Sequence, residues 1–303
     1  MKQLSHFAGL GFAIIFGFSF LFSKVALEYV SPIGLISYRF LVAFLAFEGC
    51  RRLKIIHIRF EASMVRYWLP VAIFQPILYF LFETYGVSYT TSGEAGMMIA
   101  LIPVFVSLFS GLLLKEKPRA IQMLFILFSL CGIVLIQLSS LDVESSSRVL
   151  GFVLLFAAVL SASLFNIASR KASIAVKPIE TTYFMMLTGA VVFNLIYFGM
   201  LLIEGNVPTY ITNFTQVEFI GPLFYLGIVA SLGGFFLVNY ALSKLQAHVS
   251  SIYSNLSTIV AIVAGAVILG EELSVWHIVG SVMIITGVYG TVWFNQRQIH
   301  KNT

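Results

Sequence analysis

Ten runs of mostly apolar residues divide this 303-residue chain almost from end to end. Each run is about 20 residues long, enough for a helix to cross the roughly 30 Å hydrocarbon layer of a bilayer. Because 59% of the residues are hydrophobic and 10% are charged, the chain has too little polar surface to face water on all sides. The sequence therefore predicts an all-α integral membrane protein with ten transmembrane helices. The predicted spans are 7–27, 32–50, 67–87, 93–114, 120–138, 149–169, 182–203, 219–242, 249–270 and 275–294.

Residue landmarks in the first half of the chain recur in the second half at a constant spacing. At an offset of 155 the matching pairs are Tyr85/Tyr240, Ser88/Ser243, Glu116/Glu271 and Gly132/Gly287, and at an offset of 146 they are Ser23/Ser169, Lys24/Arg170, Ala26/Ala172 and Pro32/Pro178. The evidence for this match is the shared order and spacing of helix, hinge and helix, more than the number of identical residues. We therefore expect two five-span repeats, at 1–140 and 148–303, joined by an acidic, serine-rich linker.

The distribution of basic residues predicts how the spans are oriented. If the N-terminus is cytoplasmic, the inner segments hold fifteen Lys and Arg residues and the outer segments hold two, Lys24 and Arg148. This bias predicts a multi-pass protein of the cytoplasmic membrane with both termini inside. Because five is odd, the second repeat enters the membrane inverted relative to the first. Two inverted repeats can open a central cavity to one face and then to the other.

Several other functions are disfavoured by what the sequence contains. The basic residues lie in short clusters between apolar runs, which argues against nucleic-acid binding. There is no G-x-x-x-x-G-K-[ST] loop for ATP, and the five histidines show no metal-ligand spacing, so no cofactor and no metal site is expected. Cys50 and Cys131 form no paired framework and are interpreted as small apolar residues.

Three charged side chains lie within or at the ends of predicted spans, where charge is costly and commonly functional. Arg39 lies well inside the second span, and it either binds substrate or caps helix carbonyls and pairs with a nearby acid. Lys24 and Glu83 lie in the outer quarters of spans one and three. They either pair or reach the outer interface separately. If Glu83 lies in a cavity, Glu83 and Lys24 are candidates for coupling transport to an ion.

The third span carries a polar stripe that is the best candidate cavity lining in the first half. Gln75, Tyr79 and Glu83 recur every four residues and so share one helical face. Pro76 interrupts the stripe and should kink the helix, and Pro103 should do the same in the fourth span.

Polar side chains also recur within the spans of the second half. The candidates for substrate contact are Asn166, Asn239, Tyr253 and Asn255. An alternative interpretation is that polar residues in these spans hydrogen-bond between helices and allow close packing. Both readings stay open for the asparagines.

Pro32 followed by Arg39, Pro103, the Glu116 and Glu271 hinges and the Gly132/Gly287 pair together resemble the drug/metabolite transporter superfamily, in particular its ten-span EamA-type members. The resemblance covers nearly the whole chain, with one EamA-like repeat in 1–140 and another in 148–303. It implies a secondary transporter whose central cavity is formed by spans one, three, four, six, eight and nine. Glu116 and Glu271 are then structural hinge residues.

The predicted function is a secondary active permease or exporter, not an enzyme, that moves a small metabolite, an amino acid or an amphiphilic compound by alternating access. The expected partners are the substrate, the lipid bilayer and a coupling H⁺ or Na⁺; a homodimer is left open. Two rival functions remain: a non-transporting receptor or assembly subunit, and, less favoured, an intramembrane enzyme.

Overall fold

The computed structural model describes residues 2–59, 61–89, 98–116, 118–138, 146–269 and 275–301. The main helices are α1 (Lys2–Ala26), α2 (Pro32–Arg52), α3 (Ala62–Tyr89), α4 (Ile102–Leu114), α5 (Ala120–Leu138), α6 (Ser146–Ala172), α7 (Pro178–Ile203), α8 (Val217–Lys244), α9 (Ser254–Leu269) and α10 (Val275–Lys301). A short helix, Ala247–Ser251, precedes α9, and a four-residue helix, Thr209–Thr212, lies in the connection between α7 and α8. Glu271 and the beginning of the fourth predicted span lie outside the described residues.

Within the described ranges, seven of these helices are long and apolar enough to cross a membrane: α1, α2, α3, α6, α7, α8 and α10. Helices α4 and α5 contribute shorter apolar stretches, Ile102–Leu114 and Ala120–Gly132. Every regular element in this part of the chain is helical. A helix satisfies its own backbone hydrogen bonds, which is what a segment in hydrocarbon requires. The prediction of an all-α membrane protein is therefore confirmed.

The kink predicted in the third span is confirmed. Gln75 has φ −151° and ψ 119°, which is extended backbone in the middle of α3, and Pro76 follows it. Proline lacks an N–H and crowds the preceding turn, so the helical hydrogen-bond ladder cannot pass through this position. The break lets the Gln75 side chain leave the regular helical register.

The fourth span is also interrupted beside Pro103, as predicted, since residues 98 and 99 are helical and precede the break. The chain turns at Ala100 and Leu101, and α4 begins at Ile102 with Pro103 in its first turn. The missing N–H of a proline has no acceptor to lose at that position, and its fixed φ suits the start of a helix. Pro103 therefore stands at the start of the helical segment that follows the interruption.

The helices pack in a pattern that is repeated between the two halves of the chain. Helix α2 packs on α7, and α5 packs on α10. Helix α1 packs on α9 and on α8, while α6 packs on α4 and on α3. Counting five helices along the chain turns the α1–α9 contact into the α6–α4 contact and the α1–α8 contact into the α6–α3 contact. The same operation leaves the α2–α7 and α5–α10 pairs unchanged.

Two glycines show the same reciprocity at the level of atoms in the α5–α10 contact. A Cβ on Gly132 would lie 2.6 Å from the carbonyl oxygen of Gly280, and a Cβ on Gly287 would lie 2.6 Å from the carbonyl oxygen of Phe125. Gly132 and Gly287 are 155 positions apart, and so are Phe125 and Gly280. The α5–α10 contact therefore pairs residues that are equivalent at the 155-residue spacing.

Candidate functional site

A cavity lies among the helices at the centre of the bundle. Its space, counting the open mouth, is about 800 Å³. The lining residues are Phe12, Phe16, Ser19, Phe20, Ser23, Arg39, Gln75, Tyr79, Phe80, Glu83, Ile99, Ile102, Ala162, Phe165, Asn166, Phe235, Val238, Ser251, Ser254 and Ser257. They come from α1, α3, α4, α6, α8 and the α9 region, together with Arg39 of α2. These are the spans that the family resemblance implied, with α2 added.

Arg39 brings a positive charge into this cavity. Its side chain is 7% exposed, and its Nε donates a hydrogen bond to Oγ of Ser231 at 2.7 Å. The guanidinium carbon lies 4.6 Å from the centre of the Phe80 ring, a cation–π distance. Ser231 therefore occupies Nε of the guanidinium, and Phe80 covers one of its faces. The two terminal nitrogens remain available to a ligand.

The polar stripe of α3 lies on the cavity wall as predicted. Gln75, Tyr79 and Glu83 all line the same cavity as Arg39. The carboxylate of Glu83 accepts a hydrogen bond from the Thr84 hydroxyl at 3.1 Å. The Gln75 amide and the Tyr79 hydroxyl have no hydrogen-bond partner within the described part of the chain. The stripe therefore offers a carboxylate, an amide and a phenol to a solute.

Lys24 lies farther along the same channel. It lines an adjoining cavity together with Arg39, Glu83, Thr84 and Val87. Lys24 and Glu83 thus share a cavity, but no ion pair joins them among the residues described. The two side chains are therefore not joined directly, and they do not lie in separate sites either.

Phenylalanine rings form most of the apolar wall, and the sequence interpretation did not select them. Phe16 and Phe235 approach to 5.2 Å between ring centres, and Phe80 meets Phe235 at 5.9 Å in an edge-to-face arrangement. Phe12, Phe16 and Phe20 recur every four residues on α1, a spacing that would have identified one face. This spacing did not single out the three residues because the chain contains 29 phenylalanines, and most of these are equally compatible with a position facing lipid or in the protein core.

Of the four polar candidates in the second half, only Asn166 lines the cavity. The Asn239 amide accepts from Ser169 at 2.6 Å and donates to Thr182 at 3.0 Å. This pairing joins α6, α7 and α8 away from the cavity. In this structure the Asn239 amide therefore joins helices and does not line the cavity.

Tyr253 and Asn255 also lie outside the cavity lining. The Tyr253 hydroxyl is hydrogen-bonded to Nδ1 of His6 at 2.7 Å, which connects the chain before α9 to the start of α1. Asn255 donates to the hydroxyl of Ser129 on α5 at 3.0 Å. Both side chains therefore have a partner on another helix, while Oδ1 of Asn255 is buried without a hydrogen-bond partner among the described residues.

The predicted hinge residue Glu116 closes one end of the bundle. Its carboxylate accepts from Nε of Arg170 at 2.9 Å and from the backbone N–H of Ala247 at 3.0 Å. Arg170 also donates to the Leu242 carbonyl at 3.2 Å. We call this set of four residues the Glu116 seal. None of its four residues lines the cavities described above, and if successive helices cross in opposite directions the end of α4 lies opposite the end of α1 that carries Lys24.

The site combines both signs of charge, unpaired hydrogen-bond groups and aromatic surface. In the ranges described, no group of three or more His, Cys, Asp or Glu side chains is placed to hold a metal ion. The arrangement can bind a small solute with polar ends and an apolar body.

Comparison with known proteins agrees with this reading. The model of the EamA-like transporter family matches residues 3–138 and again residues 149–293. The chain is 36% identical over 288 residues to "Uncharacterized transporter YcxC" of Bacillus subtilis, covering 95% of this chain and 92% of that protein. It is 25% identical to the "Probable amino-acid metabolite efflux pump" of Escherichia coli K12, with 92% of each chain covered.

One solved crystal structure has the same fold. It aligns with a TM-score of 0.76 at 16% sequence identity, covering 98% of this chain and 99% of the other. At that identity the likeness concerns the fold alone. The two family matches together span most of the sequence, and the chain belongs to the EamA-like transporter family, within the drug/metabolite transporter superfamily.

Proposed function

We propose that this membrane transporter exports small zwitterionic, amphiphilic metabolites, such as amino acids with apolar side chains. The observation that carries the proposal is that Arg39 and Glu83 line one cavity whose apolar wall is largely phenylalanine. An amino-acid zwitterion carries an ammonium group and a carboxylate group close together, and this cavity offers a partner for each charge. An isolated charge at this depth is costly, so a bound solute that pairs with both side chains lowers that cost.

Each part of such a solute has a site. A carboxylate accepts two parallel hydrogen bonds from a guanidinium, and the Nε of Arg39 is already occupied by Ser231 while its terminal nitrogens remain. The ammonium group pairs with the Glu83 carboxylate. The apolar side chain packs against the rings of Phe16, Phe80 and Phe235, where aromatic surface contributes most of the binding area.

Transport by alternating access is supported by the reciprocal packing. Two inverted five-helix repeats, 1–140 and 148–303, account for the exchange of α2–α7 and α5–α10 contacts between the halves. With both termini cytoplasmic, as the basic residues predict, the Glu116 seal lies on the inner side and Lys24 lies toward the outer side. The described conformation is then closed inward, with a cavity that extends past Lys24 and Val87.

The direction and the energy source are the remaining parts of the proposal. The name of the Escherichia coli relative supports export of an amino-acid metabolite. No ATP-binding loop exists in the sequence, so the proposed source of energy is an ion gradient or the solute's own gradient. Glu83 is the proposed proton carrier, because it is the carboxylate that lines the cavity in the ranges described. Sodium is the alternative coupling ion.

The experiment is counterflow in proteoliposomes that contain the purified chain. Vesicles loaded with unlabelled leucine or phenylalanine should accumulate the labelled amino acid, and Arg39→Gln should abolish the accumulation. Arg66→Gln, which removes the same charge from an exposed position, should leave it unchanged. Absence of counterflow for every apolar amino acid and amphiphile tested, with folded protein, would favour a receptor or assembly subunit.

A further inference from the structure

A second pocket lies on the surface at the ends of α6 and α8, apart from the central cavity. Its lining includes Arg59, Ser173, Lys177, Tyr240 and Lys244. These side chains come from three separate parts of the chain: the segment after α2, the connection between α6 and α7, and the last turn of α8. A site built by three segments exists only in the folded bundle.

The pocket carries an excess of positive charge. Arg59 is paired with Glu180, whose side chain is fully buried beneath it, at 2.9 Å. Lys177 and Lys244 are exposed and take part in no ion pair within the described ranges. Two ammonium groups therefore remain without a counter-charge in one concave site, which favours a ligand of negative charge.

The hydrogen-bonding groups in the pocket suit an acceptor-rich ligand. The hydroxyls of Ser173 and Ser243 already donate to the carbonyls of Arg170 and Tyr240. The Tyr240 hydroxyl donates to no residue in the described part of the chain, so it adds a free donor to the two ammonium groups. The phosphate oxygens of a phosphodiester accept from all three.

The position of the pocket selects the source of that phosphate. Helices α6 and α8 are both apolar enough to cross the membrane, and they end here, at the level of the lipid headgroups. Ile174, at the rim, is 87% exposed, and contact with acyl chains would remove its apolar surface from water. The pocket therefore joins a cationic centre to an apolar edge, as a phospholipid joins a phosphate to its chains.

We propose that this pocket binds the headgroup of an anionic phospholipid, with Lys177, Lys244 and Tyr240 contacting the phosphodiester and Ile174 contacting the acyl chains. This lipid site requires that the chain lies in a membrane, and it is independent of the substrate of the central cavity. A bound lipid would link the α6–α7 connection to the end of α8, beside the carbonyls of Leu242 and Ser243 that Arg170 contacts.

The test is thermal unfolding of the purified full chain in neutral detergent, titrated with short-chain phosphatidylglycerol. A ligand that binds the folded state raises the unfolding temperature by mass action. We expect phosphatidylglycerol to raise it, and phosphatidylcholine and inorganic phosphate to have little effect. In the double variant Lys177→Gln/Lys244→Gln, the affinity for phosphatidylglycerol should fall by about tenfold or more.

The matched control is Lys54→Gln/Arg66→Gln, which removes the same charge from exposed positions outside the pocket. An equal loss in this control would show that binding follows overall charge, and the site would be rejected. A similar shift with inorganic phosphate would assign the pocket to a soluble anion instead. A similar shift with phosphatidylcholine, whose choline cation balances the same phosphodiester, would show that a net negative headgroup is not required, which also overturns the proposal of an anionic lipid.

Discussion

Glu116 and Arg170 form an ion pair across 54 positions of sequence, with Nε of Arg170 at 2.9 Å from a carboxylate oxygen of Glu116. Both side chains are largely buried, at 18% and 26% exposed. Because the same carboxylate accepts the Ala247 N–H, one charge connects the ends of α4 and α6 to the helix that precedes α9. For the cavity to open at this end, these helices must separate and the pair must break.

The first prediction is that Glu116→Gln makes the cavity accessible from the inner face. Hydrogen bonds to charged groups contribute about 1.5–3 kcal/mol, so losing one should raise the inward-open population about tenfold or more. The measurement is the rate at which an impermeant maleimide, added to the inner face, labels Ser254→Cys in the cavity wall. The background protein carries Cys50→Ala and Cys131→Ala.

The control for this prediction is Glu48→Gln. Glu48 is also paired with arginine, at 2.6 Å from Arg51, but it lies at the end of α2 outside the cavity lining. Labelling should stay at the background rate in this variant. Equal labelling in both variants, or none in Glu116→Gln, would mean that the ion pair does not hold the inner end closed.

The second prediction uses substrate analogues to assign the two charges of the cavity. Arg39→Gln should weaken binding of the zwitterion and leave an analogue without its carboxylate unaffected. Glu83→Gln should weaken binding of the zwitterion and leave an analogue without its amine unaffected. Such pairing of a protein change with a ligand change isolates the contact between them, as a double-mutant cycle does.

Binding is measured as ligand-induced thermal stabilisation, and each analogue is tested on each variant. If Arg39 has only a structural role through Ser231 and Phe80, Arg39→Gln would lower the unfolding temperature without ligand and reduce binding of all analogues alike. That pattern would contradict the assignment of Arg39 to the carboxylate.

The third prediction concerns ion coupling at Glu83. If export exchanges the solute for a proton, acidifying the outer face should accelerate efflux, since the inward proton gradient then drives the exchange. Glu83→Gln cannot carry a proton in exchange, so its efflux should be insensitive to the gradient. Efflux from proteoliposomes is measured with and without a pH difference. Glu28→Gln, an exposed carboxylate beyond α1, should respond as the unaltered protein does.

A retained pH-gradient response in Glu83→Gln would assign coupling to another group. Loss of the response in both variants would indicate an effect of surface charge on the measurement. If efflux follows a sodium gradient instead, the proton assignment fails while the transport proposal stands.

The fourth prediction tests the close contact of α5 with α10. A Cβ at Gly287 would lie 2.5 Å from Cβ of Ser129, so Gly287→Ala should destabilise the fold by about 1–3 kcal/mol through overpacking. Gly199 has nothing within 4 Å of its would-be Cβ, and Gly199→Ala should be neutral or stabilising because alanine favours helix. The comparison is made by thermal unfolding, and equal effects would argue against the tight contact.

The sequence by itself determined the class of protein. Apolar runs of span length favour membrane helices, because a helix satisfies its backbone hydrogen bonds within the segment. The break at Gln75 and Pro76 also followed from sequence, since a proline acts through its own ring and missing N–H wherever the helix lies. The Arg39, Gln75, Tyr79 and Glu83 lining was found because charge and a four-residue spacing are local signals.

The tertiary structure alone decided which polar groups face the cavity and which join helices. Spacing shows that residues share a face but does not show which neighbour that face meets. Asn239 and Asn255 therefore appeared equivalent to Asn166 until their partners, 70 and 126 positions away, were placed beside them. The contact of Arg39 with Ser231 across 192 positions, and the phenylalanine wall, exist only once rotation and packing of the helices bring distant residues together.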